Sequence, residues 1–111
     1  MTNQEIIEGI KNRLPVAEKY FYTAHRNYCV QYSIKHFFWK TQDGQLLKCT
    51  EEDAQELYND ACVLFIQNIF RNRIQQFDNK ISTYLVTTMK YQWYNKARAN
   101  KPVQTLSAKE N

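Results

Sequence analysis

Residues 53–98 read DAQELYNDACVLFIQNIFRNRIQQFDNKISTYLVTTMKYQWYNKAR, and the reading of this stretch decides the fold. Its first half places Ala54, Leu57, Ala61, Leu64, Phe65, Asn68 and Ile69 at helical spacing, with only Asn68 breaking the apolar series. Its last part places Ile81, Leu85, Met89 and Trp93 four apart, the face of a second helix that turns toward a core. Between them Arg71–Lys80 is polar and basic, with Ile74 and Phe77 as anchors. The two helices differ in electrical character. Glu51, Glu52, Asp53, Glu56 and Asp60 open the first with no base among them. Arg71, Arg73, Lys80, Lys90, Lys96 and Arg98, interleaved with Tyr84, Tyr91, Trp93 and Tyr94, follow in the second half.

Working outward, Thr50 with Asp53 fits a capping pattern, and acids in a first turn complement the helix dipole. Residues 41–50 break the helical period; Asp43-Gly44 signals a turn in a loop, and Leu46 and Leu47 are expected to fold back onto the core. Before it, Pro15 is allowed in the first turn of a helix predicted to run to about Trp39. Its apolar surface is Ala17, Phe21, Ala24 and Tyr28, continued by Val30, Ile34, Phe37 and Phe38. Residues 2–14 predict a short first helix capped by Thr2 or Asn3, with Ile6, Ile7, Ile10 and Leu14 inward and Gly9 a slight weakness. The last helix, capped by Asp78 or Ser82, is expected to end at Pro102. The expected organisation is one helical domain over residues 1–101, with 102–111 a linker or disordered tail.

Composition agrees with an all-α fold, a compact bundle of about four helices. The chain of 111 residues is 43% hydrophobic and 14% aromatic, enough for a core, and its two glycines and two prolines are few for a β-rich chain. The net charge of +4 hides an asymmetry. Residues 1–70 carry seven bases and nine acids, while residues 71–111 carry eight bases and two acids. A basic C-terminal part is the footprint of a polyanion partner. Cys29, Cys49 and Cys62 are widely spaced, odd in number and form no C-x-x-C pair, so free thiols in a reducing cytoplasm are expected. No signal peptide or membrane span is legible, and no membrane partner is expected.

The chemistry of catalysis is missing from the pattern. There is no glycine-rich phosphate loop, no G-x-S-x-G, no His or Cys metal cluster and no plausible triad, so neither an enzyme nor a cofactor or metal is expected. His25 and His36 have no third ligand or nucleophile and read as ordinary surface or half-buried histidines. The last helix carries a different chemistry: lysine and arginine for phosphates, tyrosine for stacking on unpaired bases, and Asn, Thr and Lys for base edges. That mixture suits single-stranded or opened DNA better than a closed duplex. Trp93 reads as core, and Tyr91 and Tyr94 as the rings for exposure.

The order of these features resembles region 2 of bacterial RNA polymerase sigma factors, specifically the extracytoplasmic-function type of the sigma-70 family. The family's third helix reads approximately A-E-D-L-x-Q-E-x-F, and here the stretch is Ala54-Gln55-Glu56-Leu57-Tyr58-Asn59-Asp60-Ala61-Cys62. The family's final helix reads roughly S-x-W/Y-L-x-x-I-A-R-N-x-x-x-N/D-x-L-R. It corresponds to Ser82-Thr83-Tyr84-Leu85-Val86-Thr87-Thr88-Met89-Lys90-Tyr91-Gln92-Trp93-Tyr94-Asn95-Lys96-Ala97-Arg98. Asn3 to Lys11 is similar to the family's first helix, so the likeness covers about residues 3–101.

The resemblance implies binding to core RNA polymerase through the clamp helices of its β′ subunit, with Gln55, Glu56, Tyr58, Asn59 and Asp60 as the contact edge. It also implies recognition and melting of the promoter −10 element, whose non-template strand would lie on the loop and last helix. The residues expected on DNA are Arg71, Arg73, Lys80, Tyr84, Thr87, Lys90, Tyr91, Tyr94 and Arg98. An anti-sigma factor is a further partner implied for such a module, and the expected location is the cytoplasm. The chain departs from the pattern at Tyr91, where the family has Asn, at Thr88-Met89 in place of Ile-Ala, and at Cys62 in place of Phe. The family also carries a helix-turn-helix domain for the −35 element. Nine residues follow Pro102, so an excised domain or a shortened relative is expected. Two other readings remain: a helical protein-interaction or regulatory domain with a basic tail and no DNA binding, and a single-strand- or RNA-binding domain outside initiation. The first predicts buried Tyr91 and Tyr94.

Overall fold

In the computed structural model the described residues are 1–75 and 77–99, with the last helix traced through Glu110. Four helices and one hairpin follow in the order α1 (Asn3–Lys11), α2 (Pro15–His36), β1 (Phe38–Lys40), β2 (Leu46–Lys48), α3 (Glu51–Phe70) and α4 (Ile81–Glu110). The all-helical expectation holds apart from that two-stranded hairpin. α2 and α3 pack against each other, and each also packs against α1 and α4.

The expected cap at Thr50 forms, and of the two candidates at the first helix Thr2 is the cap. Thr2 accepts from the Glu5 amide at 3.1 Å while the Glu5 carboxylate accepts from the Thr2 amide at 2.8 Å. Thr50 and Asp53 repeat the arrangement at 3.1 Å in both directions. The backbone amide and hydroxyl of Thr2 hold the Glu5 carboxyl below its ordinary pKa. At Asp53 burial works to raise the pKa, but the hydrogen bonds from Thr50, together with Lys96, outweigh it.

The helix ends were less legible, because they use no glycine. At the end of α1, Leu14 N donates to Gly9 O and Arg13 N to Ile10 O, both at 2.9 Å. At the end of α3, Arg73 N donates to Asn68 O at 2.9 Å and Asn72 N to Ile69 O at 3.1 Å. Both are Schellman closures, and each puts a non-glycine residue at positive φ: Arg13 at 58° and Asn72 at 57°. Closing at Lys11 leaves Leu14 exposed rather than on the apolar face.

α2 stops at His36, short of the expected Trp39. Phe37 takes an extended backbone, and three aromatic residues in sequence favour a strand over a continued helix. Phe38–Lys40 pairs antiparallel with Leu46–Lys48, Trp39 facing Leu47, around a turn that holds Gly44 at φ 89°. Only Leu47 of the two leucines folds back onto the core, because Leu46 and Leu47 point to opposite faces of the strand. α2 buries Ala17, Phe21, Cys29, Val30 and Ser33, so Ala24, Tyr28 and Phe38 are exposed instead. The expected face takes a step of three from Phe21 to Ala24, whereas the buried line keeps to multiples of four through Ala17, Phe21, Cys29, Ser33 and Phe37.

α3 buries Ala54, Leu57, Tyr58, Ala61, Cys62, Phe65 and Ile69, and leaves Leu64 partly in solvent. α4 buries Ile81, Leu85, Met89, Trp93 and Ala97, the expected stripe extended by one turn. Ile74 is buried and Phe77 packs on the core, so both expected anchors hold the 71–80 connection down. α4 continues past Pro102, where the sequence expectation ended it. A proline inside a helix removes only one backbone donor and strains one turn, so it does not by itself stop a long helix. The side chains of the expected tail at 102–111 lie outside the described residues.

Gly9 is a contact site rather than a weakness. A Cβ built there would meet Ala17 Cβ at 2.4 Å, so the last turn of α1 and the first turn of α2 touch at this point. Gly9→Ala is therefore expected to destabilise the fold by about 1–3 kcal/mol, the range for overpacking, despite alanine's better helix propensity. A shift of the urea midpoint to lower concentration checks it; a stabilised variant would show that α1 does not approach α2 this closely.

Candidate nucleic-acid and protein interfaces

The basic half of the molecule builds a groove between the 71–80 connection and α4. Phe77, Lys80, Tyr84, Thr87 and Tyr91 line it, and it encloses about 580 Å³. Each wall has a cause. Asn3 of α1 donates through Nδ2 to Phe77 O at 3.1 Å and to Asn79 O at 2.8 Å, which pins the connection beside α4. Phe77 and Tyr84 meet edge to face with centroids 5.6 Å apart, and Phe65 packs edge-on against both from the core side. Tyr84 is fixed further by Asn68, whose Nδ2 donates to its hydroxyl at 3.1 Å. Tyr91 stands out from this frame, 66% exposed. Among the described residues, no acid lines the groove.

Four of the nine residues expected on DNA, Lys80, Tyr84, Thr87 and Tyr91, come together here. Lys90 and Tyr94, again with Thr87, line a second groove on the α2 side of α4. Tyr94 is half-buried against Trp39 of the hairpin, centroids 5.9 Å apart, with the Lys90 ammonium 5.9 Å from its ring centroid. Arg71, Arg73 and Arg98 are exposed outside both grooves. The loop-fixing role of Asn3 had no sequence signal beyond its candidacy as a cap.

The acidic face is a separate place. Arg26 of α2 with Glu51, Glu52, Gln55, Glu56 and Asn59 of α3 lines a shallow concavity of about 450 Å³. Its floor is a fixed polar network. Arg26 Nε donates to Gln55 Oε1 at 2.7 Å, Gln55 Nε2 donates to Tyr22 Oη at 2.9 Å, and the Tyr22 hydroxyl donates to Asn59 Oδ1 at 2.7 Å. Gln55 and Asn59 are thereby held in place, while Glu56 and Asp60 remain exposed. Tyr58, expected on this edge, is instead fully buried, and its hydroxyl donates to the Tyr22 carbonyl at 2.6 Å. It lies one residue past Leu57 on the inward side of the helix, so it is a core residue and not a surface contact. Burial pushes its phenol far above the ordinary pKa. Lys96 of α4 reaches the acidic helix, its ammonium 3.4 Å from Asp53 and 3.8 Å from Glu56.

Compared with protein-family models, curated proteins and solved structures, the chain finds no match.

Other chemistry is quiet among the described residues. All three cysteines are buried and unpaired, and burial pushes the Cys29 thiol up to about 12 and those of Cys49 and Cys62 to about 11. Such thiols stay protonated near neutrality and make poor nucleophiles. No group of three His, Cys, Asp or Glu side chains there could hold a metal ion, and no helix is long and apolar enough to cross a membrane. His25 is tied to the Phe21 carbonyl at 2.8 Å, and the His36 ring lies tilted against Tyr32, centroids 4.4 Å apart.

Proposed function

We propose that this chain is a transcription-initiation module without catalysis of its own, a sigma region 2-like domain that engages core RNA polymerase with one face and unpaired promoter DNA with another. The observation that carries this reading is the separation of two preformed surfaces. One is acid-rich, around Glu51, Glu52 and Glu56; the other is acid-free, lysine-bearing and aromatic, around Lys80, Tyr84 and Tyr91. Of the two rings that a purely protein-binding helical domain would bury, Tyr91 is exposed, which favours nucleic acid, and Tyr94 is half-buried.

The polymerase contact falls to Glu56 and Asp60, supported by Gln55 and Asn59. Acidic side chains at an exposed edge suit a basic partner helix and speed its encounter. DNA contact falls to Lys80 and Lys90 for phosphates and to Tyr84, Tyr91 and Tyr94 for bases. Tyr91 occupies the position where the family has Asn, so the promoter preference of this module differs from the family's usual one.

A pull-down with core polymerase tests the protein half. Glu56→Arg with Asp60→Arg is expected to weaken capture at least tenfold, through like-charge repulsion at a rim contact. Because Glu56 also neighbours Lys96, Asp60→Arg alone serves as the cleaner arm. Undiminished capture by both variants would remove this face from the proposal. Retained single-strand binding with no polymerase capture by the unaltered chain would favour a DNA-binding role outside initiation.

A further inference from the structure

The second groove holds side chains from α2 that the sequence pattern did not single out for binding. Tyr28, Tyr32 and His36 are four residues apart on α2 and form a row of tilted rings along it, with centroids 5.9 and 4.4 Å apart and 36° and 38° between planes. Across from them stand Thr87, Lys90 and Tyr94 of α4, and the space between is about 340 Å³. The ladder does not belong to the core. Tyr28 is 55% exposed and Tyr32 36% exposed, whereas the buried line of the same helix runs through Cys29, Val30 and Ser33. A row of exposed rings on a surface helix keeps apolar area in water and gains nothing from it unless something covers the rings.

Charge and shape indicate the covering group. The groove has a lysine, a histidine and hydroxyls on its walls and no acid, in contrast to the concavity around Glu51, Glu52 and Glu56. Flat aromatic faces beside an ammonium group are the chemistry that binds unpaired bases on a phosphate strand. Its small volume admits bases one at a time and not a duplex. Thr83 and Thr87 line both this groove and the one around Lys80 and Tyr91, so the two are separated only by a ridge of small side chains.

We propose that the Tyr28–Tyr32–His36 ladder is a second base-stacking site for single-stranded DNA, continuous with the groove around Lys80 and Tyr91. A single strand then crosses α4 over Thr83 and Thr87, with bases on Tyr91 on one side and on Tyr28 and Tyr32 on the other, and its phosphate near Lys90. This inference rests on the single-strand reading given above and extends it to a surface of α2.

The test uses the full chain and single-stranded DNA oligonucleotides carrying one 2-aminopurine, moved base by base along the strand. Two separated positions of fluorescence quenching are expected. Tyr28→Ala with Tyr32→Ala abolishes quenching at one position only and weakens binding about tenfold or more, whereas Tyr28→Phe with Tyr32→Phe retains both. Tyr32 meets Phe37 edge-on at 6.3 Å, so Tyr28→Ala alone, at the more exposed ring, repeats the measurement without disturbing that contact. Quenching at a single position that responds to Tyr91→Ala, with no change in the Tyr28 and Tyr32 variants, overturns this inference and leaves the first groove standing. No quenching anywhere overturns both.

Discussion

Phe65→Ala is expected to lower the unfolding free energy by about 3–5 kcal/mol, the cost of deleting a large core ring, enough to unfold a marginal domain. Phe65 is fully buried in α3, and three elements meet on it. Its ring stacks on Phe21 of α2 with centroids 4.9 Å apart and 14° between planes. It meets Phe77 of the 71–80 connection at 6.1 Å and Tyr84 of α4 at 5.3 Å, both edge-on. Removing it leaves a cavity that three rigid neighbours cannot collapse to fill. Urea denaturation followed by circular dichroism measures the loss. Val63→Ala, at an exposed position of the same helix, serves as the control and should change stability by less than about 0.5 kcal/mol. A Phe65→Ala loss as small as the control's would mean the aromatic cluster is not the joint of the bundle. The same substitution should loosen the groove wall at Phe77 and Tyr84, so any single-strand binding should fall along with stability.

Lys80→Ala with Tyr91→Ala should do the opposite: weaken single-strand binding about a hundredfold while leaving the unfolding midpoint almost unchanged. Tyr91 points into solvent, and a stacked base contributes about 1–3 kcal/mol on such a ring. Lys80 is exposed, and its structural role lies in its carbonyl, which accepts from the Thr83 and Tyr84 amides at 3.2 and 3.3 Å and survives the change. The lysine adds one phosphate contact, so the slope of log affinity against log salt should fall by about 0.7. Fluorescence anisotropy at several salt concentrations separates the two parts. Tyr91→Phe should restore the stacking share without the slope. A binding curve indifferent to both residues and to salt would remove the loop–α4 groove from the function.

How far the sequence reached can be judged from particular residues. Ile81, Leu85, Met89 and Trp93 were legible as core because a stripe at a fixed spacing of four leaves a helix one side to bury. The cap at Thr50 was legible because capping is local, needing only a hydroxyl and an acid three residues on, while at the first helix the sequence left Thr2 and Asn3 as alternatives. Tyr58 was misplaced because spacing alone does not set how wide a buried face is, and α3 is covered on two sides by α2 and α4. Gly9 was misjudged for a related reason: propensity concerns one helix, and the contact with Ala17 belongs to two. Tyr28 reads as apolar surface for the core, yet the bundle turns it outward beside Tyr32 and His36, because spacing within α2 does not say which side its neighbours cover.

The sequence by itself determined the helical class, the position of the capping box at Thr50, the core face of α4 and the division of charge between the two halves. Each follows from interactions a few residues apart along the chain, which folding does not alter. Only the tertiary structure decided where the faces of α2 and α3 close and that Asn3 fastens the 71–80 connection. It also decided that Lys80, Tyr84, Thr87 and Tyr91 share one groove. Those outcomes depend on which helix covers which, and packing is a property of pairs of elements that no single stretch encodes.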